Sequence, residues 1–286
     1  MRIFFVLFMV FTSIGAFGKI DVFVTIDPQA WLVQRIGNQF VDIHVLVKPG
    51  SSPATFTPTP RQMIAILKSK IYFKVDAFFE NILLEKLSSM KMSPIIVNTA
   101  DGVKKRIMRT HHVHGHEKKV RHDEMDPHIW LSCKNLIVMG KNIRDALVDI
   151  DVENKNKYIE NFRILEKELE ILDKNVSKLL LKHKNKKVYV FHPAFGYFLD
   201  AYNLKQIAVE SGGKTPTPGN IMKIIKDAKK DNIRTIFVQP QFDKKAAKTI
   251  AVAIGGKLLV LDPLKGDVSR NIFEMGQIIN RVLEKK

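Results

Sequence analysis

Residues 153–182 read ENKNKYIENFRILEKELEILDKNVSKLLLK, and their spacing decides how the chain is built. Tyr158, Phe162, Leu165, Leu169, Leu172, Val176 and Leu179 recur in alternating steps of four and three. That is one apolar stripe on a helix, with Glu and Lys on its other faces. At 1.5 Å per residue, a helix of about 30 residues reaches on the order of 45 Å. A stripe this regular also suits a coiled-coil partner. Here, however, it stands between two sets of alternating strands and helices, and a rigid spine on which both sets pack accounts for it better.

Upstream, residues 20–28, 41–50, 71–76 and 94–99 are β-branched or aromatic runs that read as strands. Helical patterns at 28–38, 60–68 and 78–90 lie between them. Thr59-Pro60 is an N-cap followed by proline at the first helical position. Downstream, the strands are 186–193, 205–211, 233–241 and 257–263, with helices near 195–203, 218–231, 243–255 and 268–284. Thr215-Pro216-Thr217-Pro218 echoes Thr57-Pro58-Thr59-Pro60, as expected of two related lobes. Strand–helix alternation implies parallel sheets covered by helices. The expected fold is therefore α/β, with two lobes, each a four-stranded parallel sheet covered by helices, joined by one long rigid helix. The divisions are 19–150 for the N-terminal lobe, 151–184 for the spine and 185–286 for the C-terminal lobe.

Residues 1–18, MRIFFVLFMVFTSIGAFG, carry one Arg, a short apolar run and small residues. They read as a secretory signal cut after Ala16 or Gly18. The run is shorter than the roughly 20 residues a membrane span needs. The single cysteine, Cys133, excludes an intrachain disulfide, and the expected location is a periplasm. The 46 Lys plus Arg exceed the 29 Asp plus Glu, for a net charge of +17. The lysines are scattered along the chain, which argues for a solvated basic surface and against nucleic acid as partner.

The chemistry gathers around Thr110–Trp130, THHVHGHEKKVRHDEMDPHIW, which holds six of the nine histidines. His111, His112, His114, His116 and His122 lie in a charged run, 110–123, and read as a metal-catching loop. His128 stands apart, in Asp126-Pro127-His128-Ile129-Trp130. In open parallel sheets ligands bind beyond the carboxyl ends of strands. His192 ends one strand and Asp262 another, each followed by Pro. Two imidazoles and a carboxylate suit Zn²⁺ or Mn²⁺. His44, inside an apolar strand, reads as a sheet residue and not a ligand. The same donor set with an open position also serves metal-dependent hydrolases, but no HExxH motif is present. A metal-dependent adhesin or interaction protein is the other alternative.

Six segments carry a family resemblance: PGSSPATFTPTP at 49–60, DPHIW at 126–130, FHPAFGYF at 191–198, VESGGKTPTP at 209–218, VQPQF at 238–242 and LDPL at 261–264. With them the chain resembles the metal-binding solute-binding proteins of bacterial ABC importers that carry zinc and manganese. The resemblance implies metal held between two lobes by His128, His192 and Asp262, and delivery by a monomer to a membrane permease. The His-rich loop is similar to that of zinc-carrying members, which favours zinc. One position departs. The family's first motif has a histidine where this chain has Ala54. Water, His122, Glu80 or Glu210 would then complete the site. Cys133 stands where proline is common and reads as a small buried hydrophobe rather than a soft-metal ligand.

Overall fold

The computed structural model describes residues 18–90, 94–108, 125–210 and 216–285. The expected signal segment falls almost wholly outside the described residues, and so do His111, His112, His114, His116 and His122.

The first sheet is formed by β1 (Ile20–Val24), β2 (Val41–Val45), β3 (Ile71–Lys74) and β4 (Ile95–Asn98), in the order β2-β1-β3-β4. The second is formed by β5 (Lys187–Val190), β6 (Lys205–Ala208), β7 (Thr235–Val238) and β8 (Lys257–Val260), in the equivalent order β6-β5-β7-β8. Every named pairing is parallel. In each sheet the strand order reverses beside the first strand, at β1 and at β5. A crevice opens beyond the strand ends at such a point.

The helices are α1 (Asp27–Gly37), α2 (Pro60–Lys68), α3 (Glu80–Ser88), α4 (Cys133–Ile150), α5 (Lys155–Leu180), α6 (Gly196–Ala201), α7 (Pro218–Lys230), α8 (Lys245–Ala253) and α9 (Val268–Glu284). Both Thr-Pro starts work as expected. Thr59 and Gln62 form a reciprocal capping box on α2, and the Thr217 hydroxyl accepts from Asn220 N on α7. Among the described residues no helix is long and apolar enough to cross a membrane.

α5 is the spine. With a 3-10 turn at each end, the helical run covers 152–183. It buries Tyr158, Phe162, Leu165, Leu169, Val176 and Leu180. The stripe was read to end on Leu179, yet Leu180 is the fully buried one. A straight helix of 3.6 residues per turn drifts off a 3.5 repeat, and over five turns the drift amounts to about one position. α5 packs on α1 and α4 of the first half and on α9 of the second. One hydrophobic core accordingly runs through both halves, from Val22 and Phe73 through Leu165 to Phe195 and Met275. A smaller cluster lies under α7 and α8, around Ile224, Ile236 and Ile250.

α4, over 133–150, has no counterpart among the elements expected from the sequence. Ser132, a residue type favoured just before a helix, precedes it, but its side chain makes no capping hydrogen bond, and Gly140 lies in the middle of the helix. Its buried Leu136, Met139, Ile143 and Leu147 nonetheless keep the helical period. His44 lies on β2, as expected, at the half-exposed face, with Nε2 2.8 Å from Asp21 Oδ1.

Candidate metal centre

His128 precedes a 3-10 turn, Ile129–Leu131, whose three side chains are buried. Those apolar residues anchor the turn. Trp130 Nε1 also donates to Pro263 O at 2.7 Å, tying the turn to the second half. Asp126 fixes the imidazole: its Oδ1 accepts from His128 N at 3.0 Å and lies 2.8 Å from His128 Nδ1. Its Oδ2 takes Arg106 Nη1 at 2.6 Å, and Arg106 Nε reaches Asp200 at 2.8 Å. The Asp126 side chain is fully buried. Burial alone would push its carboxyl up, but the hydrogen bonds from His128 and the Arg106 charge outweigh that and hold it below the ordinary aspartate value. The Tyr197 hydroxyl, on α6, donates to Asp126 O. Arg106 passes directly over Gly196, where a Cβ would stand 1.6 Å from Nη1.

His192 lies just beyond β5. Gln239 grips its backbone at both ends, accepting from His192 N at 3.2 Å and donating to His192 O at 2.8 Å. Nδ1 is 3.0 Å from Glu210 Oε2. Burial lowers the His192 pKa, and the Glu210 hydrogen bond offsets this only in part. Phe242 stacks on the ring at 4.4 Å and 22°.

The two imidazoles meet edge to face, their centroids 5.2 Å apart. In both, Nδ1 faces a carboxylate, which can only accept, so Nδ1 carries the proton and Nε2 keeps its lone pair. This is how metal-binding histidines are commonly held. Both rings line a cavity of about 40 Å³ with Ala54, Phe78, Met108, Trp130, Gln241 and Phe242. A water needs roughly 10–15 Å³ of such space, so the cavity suits an ion with a water or two.

Asp262 is placed differently. Its Oδ1 accepts from Gln241 Nε2 at 2.8 Å and from Leu264 N at 3.0 Å. Gln241, Pro263 and Leu264 line the cavity, whereas Asp262 itself does not. Asp27 of the first half lies near it, and burial followed by the Asp262 charge raises the Asp27 pKa. Among the described residues no three His, Cys, Asp or Glu side chains are grouped closely enough to hold a metal by themselves. The structure thus brings together His128 and His192, with Asp262 one side chain removed.

Ala54 lines the cavity and supplies no donor. Glu80 does not fill the gap. It is buried, and both oxygens are taken by Thr25, Tyr72 and the Val75 and Ala77 amides. Glu210 is committed through Oε2 to His192, and its Oε1 is buried without a donor among the described residues. Cys133 is buried, and burial pushes its thiol up to about 12, so it stays protonated, as its reading as a small hydrophobe requires. Sequence reasoning missed the roles of Asp126, Glu210, Gln239 and Arg106. Asp126, Glu210 and Gln239 lie inside quoted motifs, but their partners become visible only in three dimensions.

A family model described as ZnuA, the periplasmic component A of the zinc-uptake complex, matches residues 22–276. The zinc-binding protein AdcA of Streptococcus pyogenes is 28% identical over 282 residues, covering 94% of this chain. This chain spans about half the length of that relative, 55%. The high-affinity zinc uptake system protein ZnuA of Bacillus subtilis is 28% identical over 253 residues, covering 87% of this chain and 79% of the relative. A crystal structure of ZnuA superposes with a TM-score of 0.84 at 30% identity, covering 93% of this chain and 99% of that one.

Proposed function

Because this chain belongs to the ZnuA family of periplasmic zinc-uptake components, we propose that it captures Zn²⁺ with high affinity outside the cytoplasmic membrane and hands it to an ABC permease. The family is one of solute-binding components and not of enzymes, which sets the hydrolase reading aside. The observation that carries the proposal is the pair of imidazoles from opposite halves, each with Nδ1 held by a buried carboxylate and both facing one cavity. Neutral imidazoles suit zinc, whereas manganese prefers oxygen-rich sites. That supports zinc over Mn²⁺ as cargo.

His128 and His192 bind the ion directly, and Asp262 supplies the acidic group of the site. His111, His112, His114, His116 and His122 gather metal at low affinity and raise its concentration near the entrance. The protein works as a monomer in the periplasm, exported by the segment 1–18, and its partner is a membrane permease rather than nucleic acid. Calorimetric titration of metal-free protein with Zn²⁺ and Mn²⁺ tests this. Zinc is expected to bind more tightly than manganese, and His128→Ala or His192→Ala to abolish the tight phase. Binding no tighter than millimolar for both ions would end the reading.

A further inference from the structure

We propose that Gln241 is itself a metal ligand, its carboxamide oxygen supplying the donor that Ala54 cannot. The inference deepens the zinc-capture reading above and rests on it. Gln241 follows β7 and lines the same cavity as His128 and His192. Its Nε2 donates to Asp262 Oδ1 at 2.8 Å. A carboxylate oxygen accepts, so this bond fixes which end of the amide is which. Oε1 must face away from Asp262. There it is buried and finds no hydrogen-bond donor among the described residues.

Buried amide oxygens ordinarily find a donor, and two other buried glutamines show it. Gln239 uses both ends of its amide on His192, and Gln29 uses both on Thr25, Phe73 and Thr99. Glu210 Oε1 also lacks a donor, but Glu210 does not line the cavity. Gln241 alone among these combines an idle buried oxygen with a side chain lining the cavity that both imidazoles line.

The three donors then share one construction. His128 gives Nδ1–H to Asp126, His192 gives Nδ1–H to Glu210, and Gln241 gives Nε2–H to Asp262. In each, a carboxylate behind the ligand sets its orientation and increases its electron density at the metal-facing atom. Asp262 Oδ1 thus serves Gln241 as Asp126 serves His128. Two imidazole nitrogens and a neutral amide oxygen match a borderline divalent cation better than a soft monovalent one.

Two variants separate a ligating oxygen from a merely structural amide. In Gln241→Leu both amide functions are gone. In Gln241→Glu the oxygen remains, while the donor to Asp262 is replaced by a second acceptor. Zinc affinity is read by competition with a chromophoric chelator, and coordination by the visible spectrum of the Co²⁺-loaded protein. A ligating oxygen predicts that Gln241→Leu weakens zinc by about tenfold or more and alters the Co²⁺ spectrum. Gln241→Glu would bind at least as tightly as wild type, because the cation neutralises the paired acids. If Gln241→Glu binds weakest, Gln241 acts only through its N–H and the proposal is overturned. It is equally overturned if Gln241→Leu matches wild type in affinity and spectrum. Wild type failing to bind zinc at all would remove the capture reading and this inference together.

Discussion

Gly196→Ala is expected to unseat His128 without touching it. A Cβ at position 196 would stand 1.6 Å from Arg106 Nη1, 2.3 Å from its Cζ and 2.8 Å from Asp126 Oδ2. The end of an arginine can move, so the collision alone is cheap. What the arginine holds is not. Displaced, it leaves the fully buried Asp126 carboxylate without its cation and releases Asp200. Stripping one partner from a buried ion pair costs about 3–5 kcal/mol. Asp126 keeps its two hydrogen bonds from His128, which places the loss near the lower end of that range. At roughly 2–4 °C per kcal/mol for a chain of this size, Tm should fall on the order of 6–12 °C. Zinc affinity should fall about tenfold, the usual effect of disturbing a group behind a ligand. Differential scanning calorimetry and zinc titration read the two effects. In an Arg106→Met background the same Gly196→Ala change should cost much less, because the ion pair is already gone. A Gly196→Ala protein melting within about 2 °C of wild type, with unchanged zinc binding, would refute the chain of support from Arg106 through Asp126 to His128.

Ala54→His should tighten zinc at least about tenfold, since an imidazole there would face the cavity shared with His128 and His192; equal affinity in a chelator competition would show that position 54 cannot reach the ion. Metal-free protein should lose stability as pH falls below the ordinary histidine value of about 6.5. Burial lowers the folded His192 pKa, so below that pH the unfolded chain takes up a proton that the folded one still refuses. The contribution is complete above the unfolded value and declines until the lowered folded value is reached. Urea titrations at several pH values should show this decline in wild type and a flatter profile in His192→Gln.

Much of the fold was readable because apolar period and capping are local. All eight strands seen among the described residues had been placed, and the two Thr-Pro starts cap helices as read. Ends were read too long: residues 41–50 became Val41–Val45, although Leu46 and Val47 still donate to Val24 and Thr25. α4 escaped although Ser132 stands before it and its period was present; Gly140 weakens the helical pattern in its middle. At the site, two histidines separated by 63 intervening positions, His128 and His192, were paired through their places at turn and strand end, and they do meet. Asp126 and Gln241 were quoted within motifs, yet nothing local says that one backs an imidazole or that the other reaches Asp262. Those roles depend on contacts across the chain, as does the passage of Arg106 over Gly196.

The continuous core set on α5 bears on how cargo gets in and out. Parting the halves like jaws would wet the apolar seam along Leu165, Leu169 and Met275. At about 25 cal/mol per Å², each 100 Å² so wetted costs about 2.5 kcal/mol, more than thermal agitation supplies cheaply. Rearrangement confined to side chains that line the cavity, such as Phe78, Met108 and Phe242, would leave that seam dry.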